Sequence, residues 1–116
     1  MENVLALAEK LGSAIAQHER FATLRALEKN VSDDKTASDI QSALEKQLLK
    51  ISELERAGKP VEVADKHELE RLQNAFRENE ALRDLVKAQA DYLEMMNKVN
   101  QTIVSRLQPT EQSDGD

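Results

Sequence analysis

This chain contains no cysteine and no tryptophan. Without thiols, its own residues cannot supply a disulfide, a thiolate nucleophile or a cysteine-ligated zinc or iron–sulfur site. Proline occurs twice and glycine three times, which leaves few places for sharp turns. Aromatic side chains make up 3% of the residues, too few for an ordinary strand-rich globule. No run of Lys or Arg appears, and a net charge of −6 with a pI near 5.0 works against affinity for nucleic acid or anionic membrane. No apolar run approaches the roughly 20 residues that a membrane span needs. The opening residues set Glu2, Glu9 and Glu19 among their apolar positions, unlike the basic and then continuously apolar regions of a signal peptide. A soluble, cytoplasmic protein is expected, with no direct nucleic-acid contact and no membrane insertion.

What is present favours helices. Hydrophobic residues make up 40% of the chain and charged residues 33%, drawn largely from the strong helix formers Ala, Leu, Glu, Lys and Gln. The length, 116 residues, suits one domain with a modest core. The expected fold class is all-α: a bundle or hairpin of about five helices with a long C-terminal helix. Residues 1–108 form that domain, and the polar, acidic segment 109–116 after Gln108 reads as a disordered tail.

Residues 3–17 carry Val4, Ala8, Leu11 and Ile15 at alternating steps of four and three, an amphipathic helix. Its apolar arc is wide enough to suggest burial on more than one side. Gly12 within it reads either as a close approach by another backbone or as a tolerated small residue. His18 and Glu19 mark a joint, after which Phe21, Leu24, Leu27 and Val31 line a second helix. Asp33 or Asp34 caps the third, expected over 35–57, and Gly58 and Pro60 end it. Asp65 is the expected cap of a fourth helix bearing Leu69, Leu72 and Phe76. The apolar phase is lost at 77–80, where Asn79 is placed to cap the long last helix.

Chemistry is hard to find. The residues three before His18 and His67 are Ile15 and Ala64, so the Glu-x-x-His pairs of carboxylate-bridged metal bundles are absent. No Gly-x-Ser-x-Gly turn and no glycine-rich phosphate loop occurs. Neither catalysis nor a cofactor nor a metal is expected. Attention turns to residues 80–107, where two apolar stripes run side by side. One holds Leu82, Val86, Leu93, Met96, Ile103 and Leu107, with Gln89 and Asn100 in the remaining heptad slots. The other holds Leu85, Ala88, Tyr92, Met95 and Val99. An amide inside an apolar stripe, as at Gln47, Gln89 and Asn100, either pairs across helices and fixes their register or lies at a rim in water. Tyr92 and the methionines are either ordinary core or a surface adapted to a partner helix. Gln89, Tyr92, Met95, Met96, Val99 and Asn100 are therefore the candidate interaction residues. So many apolar helix faces on so short a chain point to self-association, as a homodimer or higher oligomer.

The order of elements, together with several local sequences, resembles the YlbF/YmcA family of small bacterial helical proteins. The features are Phe21 opening the second helix, the turn at 32–34, and Gly58-Lys59-Pro60. They continue with the break at Glu78-Asn79 and a last helix holding Ala88-Gln89 and Val99-Asn100 before Ile103. The resemblance covers about 5–107. It implies a cytoplasmic, non-enzymatic, self-associating protein with protein partners. Some relatives act in a complex that directs a membrane-anchored endoribonuclease to particular transcripts, affecting competence, sporulation and biofilm formation. Certain members of that complex are associated with iron–sulfur clusters through cysteine, and that property does not carry over to a chain without cysteine. The function expected is a helical interaction adaptor with a regulatory role; the alternative is a small chaperone of the holdase type.

Overall fold

A computed structural model describes residues 1–108; the tail expected over 109–116 lies outside the described residues. The described chain is all-α, with helices α1 (Glu2–Ala16), α2 (Glu19–Asp33), α3 (Lys35–Arg56), α4 (Val63–Glu78) and α5 (Glu80–Ser105). Four helix ends follow directly from local hydrogen bonding. His18 caps α2, its Nδ1 accepting from the Arg20 amide at 3.0 Å. Asp34 caps α3 through the Ala37 amide at 3.0 Å, and Asn79 caps α5 through the Leu82 amide at 3.0 Å. Gly58, at φ 70°, closes α3. Its own amide donates to the Glu55 carbonyl at 3.1 Å, and the Lys59 amide to Leu54 at 2.9 Å. This pair of bonds satisfies carbonyls that the helix end leaves open. Because the left-handed conformation penalises a Cβ, Gly58→Ala should cost about 1–2 kcal/mol, measurable by denaturant unfolding.

The start of α4 differs from the expected one. The helix begins at Val63 with Glu62 as its N-cap, so Asp65 lies in the first turn rather than at the cap. From there its Oδ2 accepts the Glu62 amide at 3.2 Å, reaching backward to a donor instead of forward. Asp65 also ties α3 to α4. Lys50 Nζ stands 2.8 Å from its Oδ1, and the Gln47 side-chain amide donates to its carbonyl at 2.9 Å. Gln47, an amide in an apolar stripe, thus pairs across helices. The hydrogen bond from Lys50, helped by the Glu62 amide and outweighing burial, holds the Asp65 carboxyl below its usual range. The folded state therefore favours the carboxylate, and the stability this contributes is present above the unfolded value near 3.8. It is lost as pH falls through the lower folded value. Thermal melts should show Asp65→Asn losing less stability than the parent chain across that acid step.

The core sits where α2, α3 and α5 meet. Leu24, Val31, Ala37, Leu82, Leu85 and Ala88 form one buried cluster, with Leu27, Ile40, Phe76, Ala81 and Tyr92 packed around it. Leu72 is buried separately on α4, which forms a hairpin with α3. Arg20 pins the opening of α2 to α5, its Nη1 donating to the Asp91 carbonyl at 2.8 Å and meeting Glu94 at 3.1 Å. Beside it the Phe21 and Tyr92 rings lie 6.0 Å apart, tilted by 51°, within the favourable range for aromatic pairs.

One expectation fails for α1. Its wide apolar arc suggested burial on more than one side, yet no residue of α1 is buried and its backbone approaches only α2. Nothing lies within 4 Å of where a Cβ on Gly12 would stand, so the protomer itself supplies no close backbone there. The radius of gyration, 20.4 Å, expresses this open form; a compact chain of this length would measure about 13 Å.

Candidate interaction surface

The last helix separates its two stripes except at Met96 and Ile103. Leu85 and Ala88 are buried, and Tyr92, Met95 and Val99 are half-buried along the same face. This second stripe, with Leu82 at its N-terminal end, is the one that faces into the protomer. The first stripe turns outward beyond Leu82. Val86 is 46% exposed, Leu93 58% and Leu107 76%, with Val104 lying alongside them on the helix. Met96 is half-buried between the two stripes.

The six candidate residues therefore separate. Tyr92 belongs to the protomer, packed against the core cluster and against Phe21. Met95 and Val99 continue its face beyond the end of the core. There, with Thr102 and Ile103 from α5 and Leu11 from α1, they line an open groove of about 580 Å³. Gln89 and Asn100 are exposed on the outward stripe, and among the described residues neither side chain has a hydrogen-bond partner. Within the protomer they meet water, unlike Gln47.

Of the eight groove residues only Met95 and Val99 were sequence candidates; among the other six are His18, Arg20 and Lys98. They give an apolar groove a polar, largely cationic rim. Arg20 and Lys98 both approach Glu94, the latter at 3.6 Å. The hydrogen bond from Arg20, with the charges of Lys98 and Arg20, lowers the Glu94 pKa. The i,i+4 spacing of Glu94 and Lys98 was readable in advance; the reach of Arg20 to Glu94 across the fold was not. Leu11 was named only as part of an amphipathic face, and nothing in the sequence says which other helix that face would meet.

Among the described residues no three His, Asp or Glu side chains gather in a way that would hold a metal ion. No described helix is long and apolar enough to cross a membrane. What the arrangement can do is bury apolar surface against another helix, with charge at its border to orient the approach.

Comparison with solved structures supports the same architecture. The fold is similar to that of Bacillus subtilis RicA, in a crystal structure of RicA in complex with RicF. The TM-score is 0.78 at 19% identity, over 90% of this chain and 93% of that one. It is also similar to a Bacillus stearothermophilus protein of unknown function, with a TM-score of 0.72 at 22% identity over 90% and 92% of the two chains. At these identities the likeness shows the fold alone. No curated protein matches the sequence. The sequence profile of the family described as control of competence regulator ComK, YlbF/YmcA, matches residues 4–108. With that match spanning nearly the whole helical domain, the chain belongs to the YlbF/YmcA family.

Proposed function

We propose that this protein is a non-enzymatic, cytoplasmic adaptor, a helical chain that associates with itself and with other proteins in a regulatory complex. One observation carries the reading. The protomer leaves two apolar surfaces uncovered: most of α1, none of whose residues is fully buried, and the outward stripe of α5. Apolar helix faces left in water forfeit about 25 cal/mol for each Å² that a partner could cover, and two separate faces allow one chain to hold two neighbours together. Relatives support the direction of the argument. RicA, whose fold this chain shares, has been crystallised in complex with RicF, and the family profile is described by control of a competence regulator. A regulatory complex of that kind is the setting in which an adaptor without its own chemistry acts.

Affinity capture of the full chain from its native cells tests the proposal. An adaptor should recover one or a few proteins in fixed ratio to itself, in moderate salt and against a tagged unrelated helical protein. The holdase reading draws on the same exposed α1 and predicts a different result: a broad set of unfolded clients, and suppressed aggregation of unrelated proteins on heating. Either that broad profile or no recovered protein at all would refute the adaptor reading.

A further inference from the structure

We infer that His18 is a proton-operated latch at the joint between α1 and α2: neutral, its ring caps α2, and protonated, it leaves that cap for the carboxylate of Asp91. The latch sets the direction of α1, and with it the width of the groove that Leu11 shares with α5. The inference goes beyond the adaptor reading and does not depend on it.

The capping bond admits one protonation state only. The Arg20 amide donates to Nδ1 of His18 at 3.0 Å, so that nitrogen must present a lone pair. An imidazolium carries hydrogen on both ring nitrogens and cannot accept. Protonation therefore sets two donors against each other, and the ring must turn away. His18 is exposed, which gives the proton free access, and imidazole is the side-chain type that changes charge between about pH 5 and 8. Asp34 and Asn79, the capping side chains of α3 and α5, are of types that do not titrate in that range. Among these three caps, only the one at the α1–α2 joint is built to respond.

A second partner stands beside the first. His18 and Asp91 line one cleft of about 250 Å³ where the start of α2 meets α5. Arg20 takes the Asp91 carbonyl, and among the described residues the Asp91 carboxylate has no ion-pair partner. Charges of both signs face the ring. Glu19 of α2 and Asp91 of α5 favour a proton there, whereas Arg20 of α2 and Lys98 of α5 oppose one. Glu94 is engaged by Arg20 and Lys98, and the one α1 residue lining the groove beside His18 is the uncharged Leu11.

What turns on the bond is the direction of α1. Gln17 ends that helix at φ −93° and ψ −3°, and His18 follows in extended conformation at φ −76° and ψ 145°. No residue of α1 is buried and its backbone approaches only α2, so this corner governs where the helix points. A capping side chain reaches forward only from the extended conformation, and the bond in turn holds it. Its loss frees the corner and raises the population with α1 turned away by about fivefold, the usual worth of a cap. Leu11 then parts from Met95, Val99 and Ile103 across the groove.

The test reads the distance between α1 and α2 in the whole chain. The absence of native cysteine allows nitroxide labels at Lys10→Cys and Ala26→Cys, both exposed positions. An excess of unlabelled chain keeps every measured distance within one molecule. Between about pH 8 and about pH 5.5 the parent should gain a second distance, its population rising about fivefold. His18→Asn caps without titrating and should keep the pH 8 distribution at both values; His18→Ser repeats the measurement with a different cap. Asp91→Asn keeps the carbonyl that Arg20 uses, and it should reduce the second distance in acid while leaving the pH 8 state unchanged. Circular dichroism of each variant checks that the helices are retained. Identical parent distributions at the two pH values overturn the latch, and so does an acid shift that persists in both His18 variants. A shift unaltered by Asp91→Asn overturns Asp91 as the second partner.

Discussion

Leu82→Ala is expected to cost about 3 kcal/mol, within the roughly 2–5 kcal/mol seen when a buried leucine is truncated. Leu82 is fully buried, at 0% exposure, beside Val31 and Ala37 where α5 enters the cluster from its Asn79 cap. Truncation removes buried methyl groups and leaves a cavity that three anchored helices cannot easily collapse. The cost matters because the core is small. Seven apolar residues are buried among the described ones, and a domain of this size has only about 5–15 kcal/mol in total. At about 4 °C per kcal/mol for a domain near 100 residues, the melting midpoint should fall by about 12 °C or more. Far-UV circular dichroism on heating reads this directly. The control is Leu49→Ala, which removes the same atoms from an exposed position on α3, outside both proposed association surfaces, and should shift the midpoint by no more than about 2 °C. Equal shifts for the two variants would contradict the placement of the core.

The contrast between Leu82 and Leu49 also shows where sequence reading succeeds. Helix boundaries are local events, and local events were legible. Gly58 and Asn79 were each named from residue type and position, and Asp34 as one of two alternatives with Asp33; each forms the expected cap or stop. The phase break at 77–80 is a single capped residue between α4 and α5. Asp65 was the partial failure, and its reason is also local. A carboxylate at the cap and one in the first turn both satisfy open amides, so Asp65 alone did not fix where the helix starts. Glu62, three residues earlier, was the missing half of that signal.

What was not legible is which face meets which neighbour. The spacing of Val4, Leu11 and Ile15 is the same whether the covering helix belongs to this chain or to another, so the pattern predicted burial that the protomer does not supply. The two stripes of α5 are similarly apolar, and the choice between them depends on where α2 and α3 lie. Those positions are held by contacts such as Arg20 with Glu94 and Lys50 with Asp65, between residues far apart in sequence. Hence Tyr92, an interaction candidate by spacing, stands in the core's border, while Val86 and Leu93, named only as members of a stripe, are the exposed ones.

Those two residues give the second large effect. The double variant Val86→Glu, Leu93→Glu should leave the fold intact and weaken capture of protein partners about a hundredfold. Both side chains lie on the outward stripe, where surface substitutions usually change stability by less than about 0.5 kcal/mol. In a complex that covers the stripe, each carboxylate would instead be buried among apolar groups without a partner, at several kcal/mol. A hundredfold loss requires only about 2.8 kcal/mol. Gln89 and Asn100 sharpen the prediction, because they stand on the same stripe with amides that only water satisfies in the protomer. A partner must offer hydrogen bonds at those two places or leave buried amides unpaired, at about 1–3 kcal/mol each. That requirement excludes most apolar surfaces and admits a matched one, which is how an adaptor differs from a holdase. Quantitative capture with the parent chain, the double glutamate variant and Gln89→Leu, Asn100→Leu separates the cases. A matched partner should be lost with the glutamates and also weakened by the leucines, whereas a holdase would bind its clients more strongly once the amides are replaced by apolar side chains.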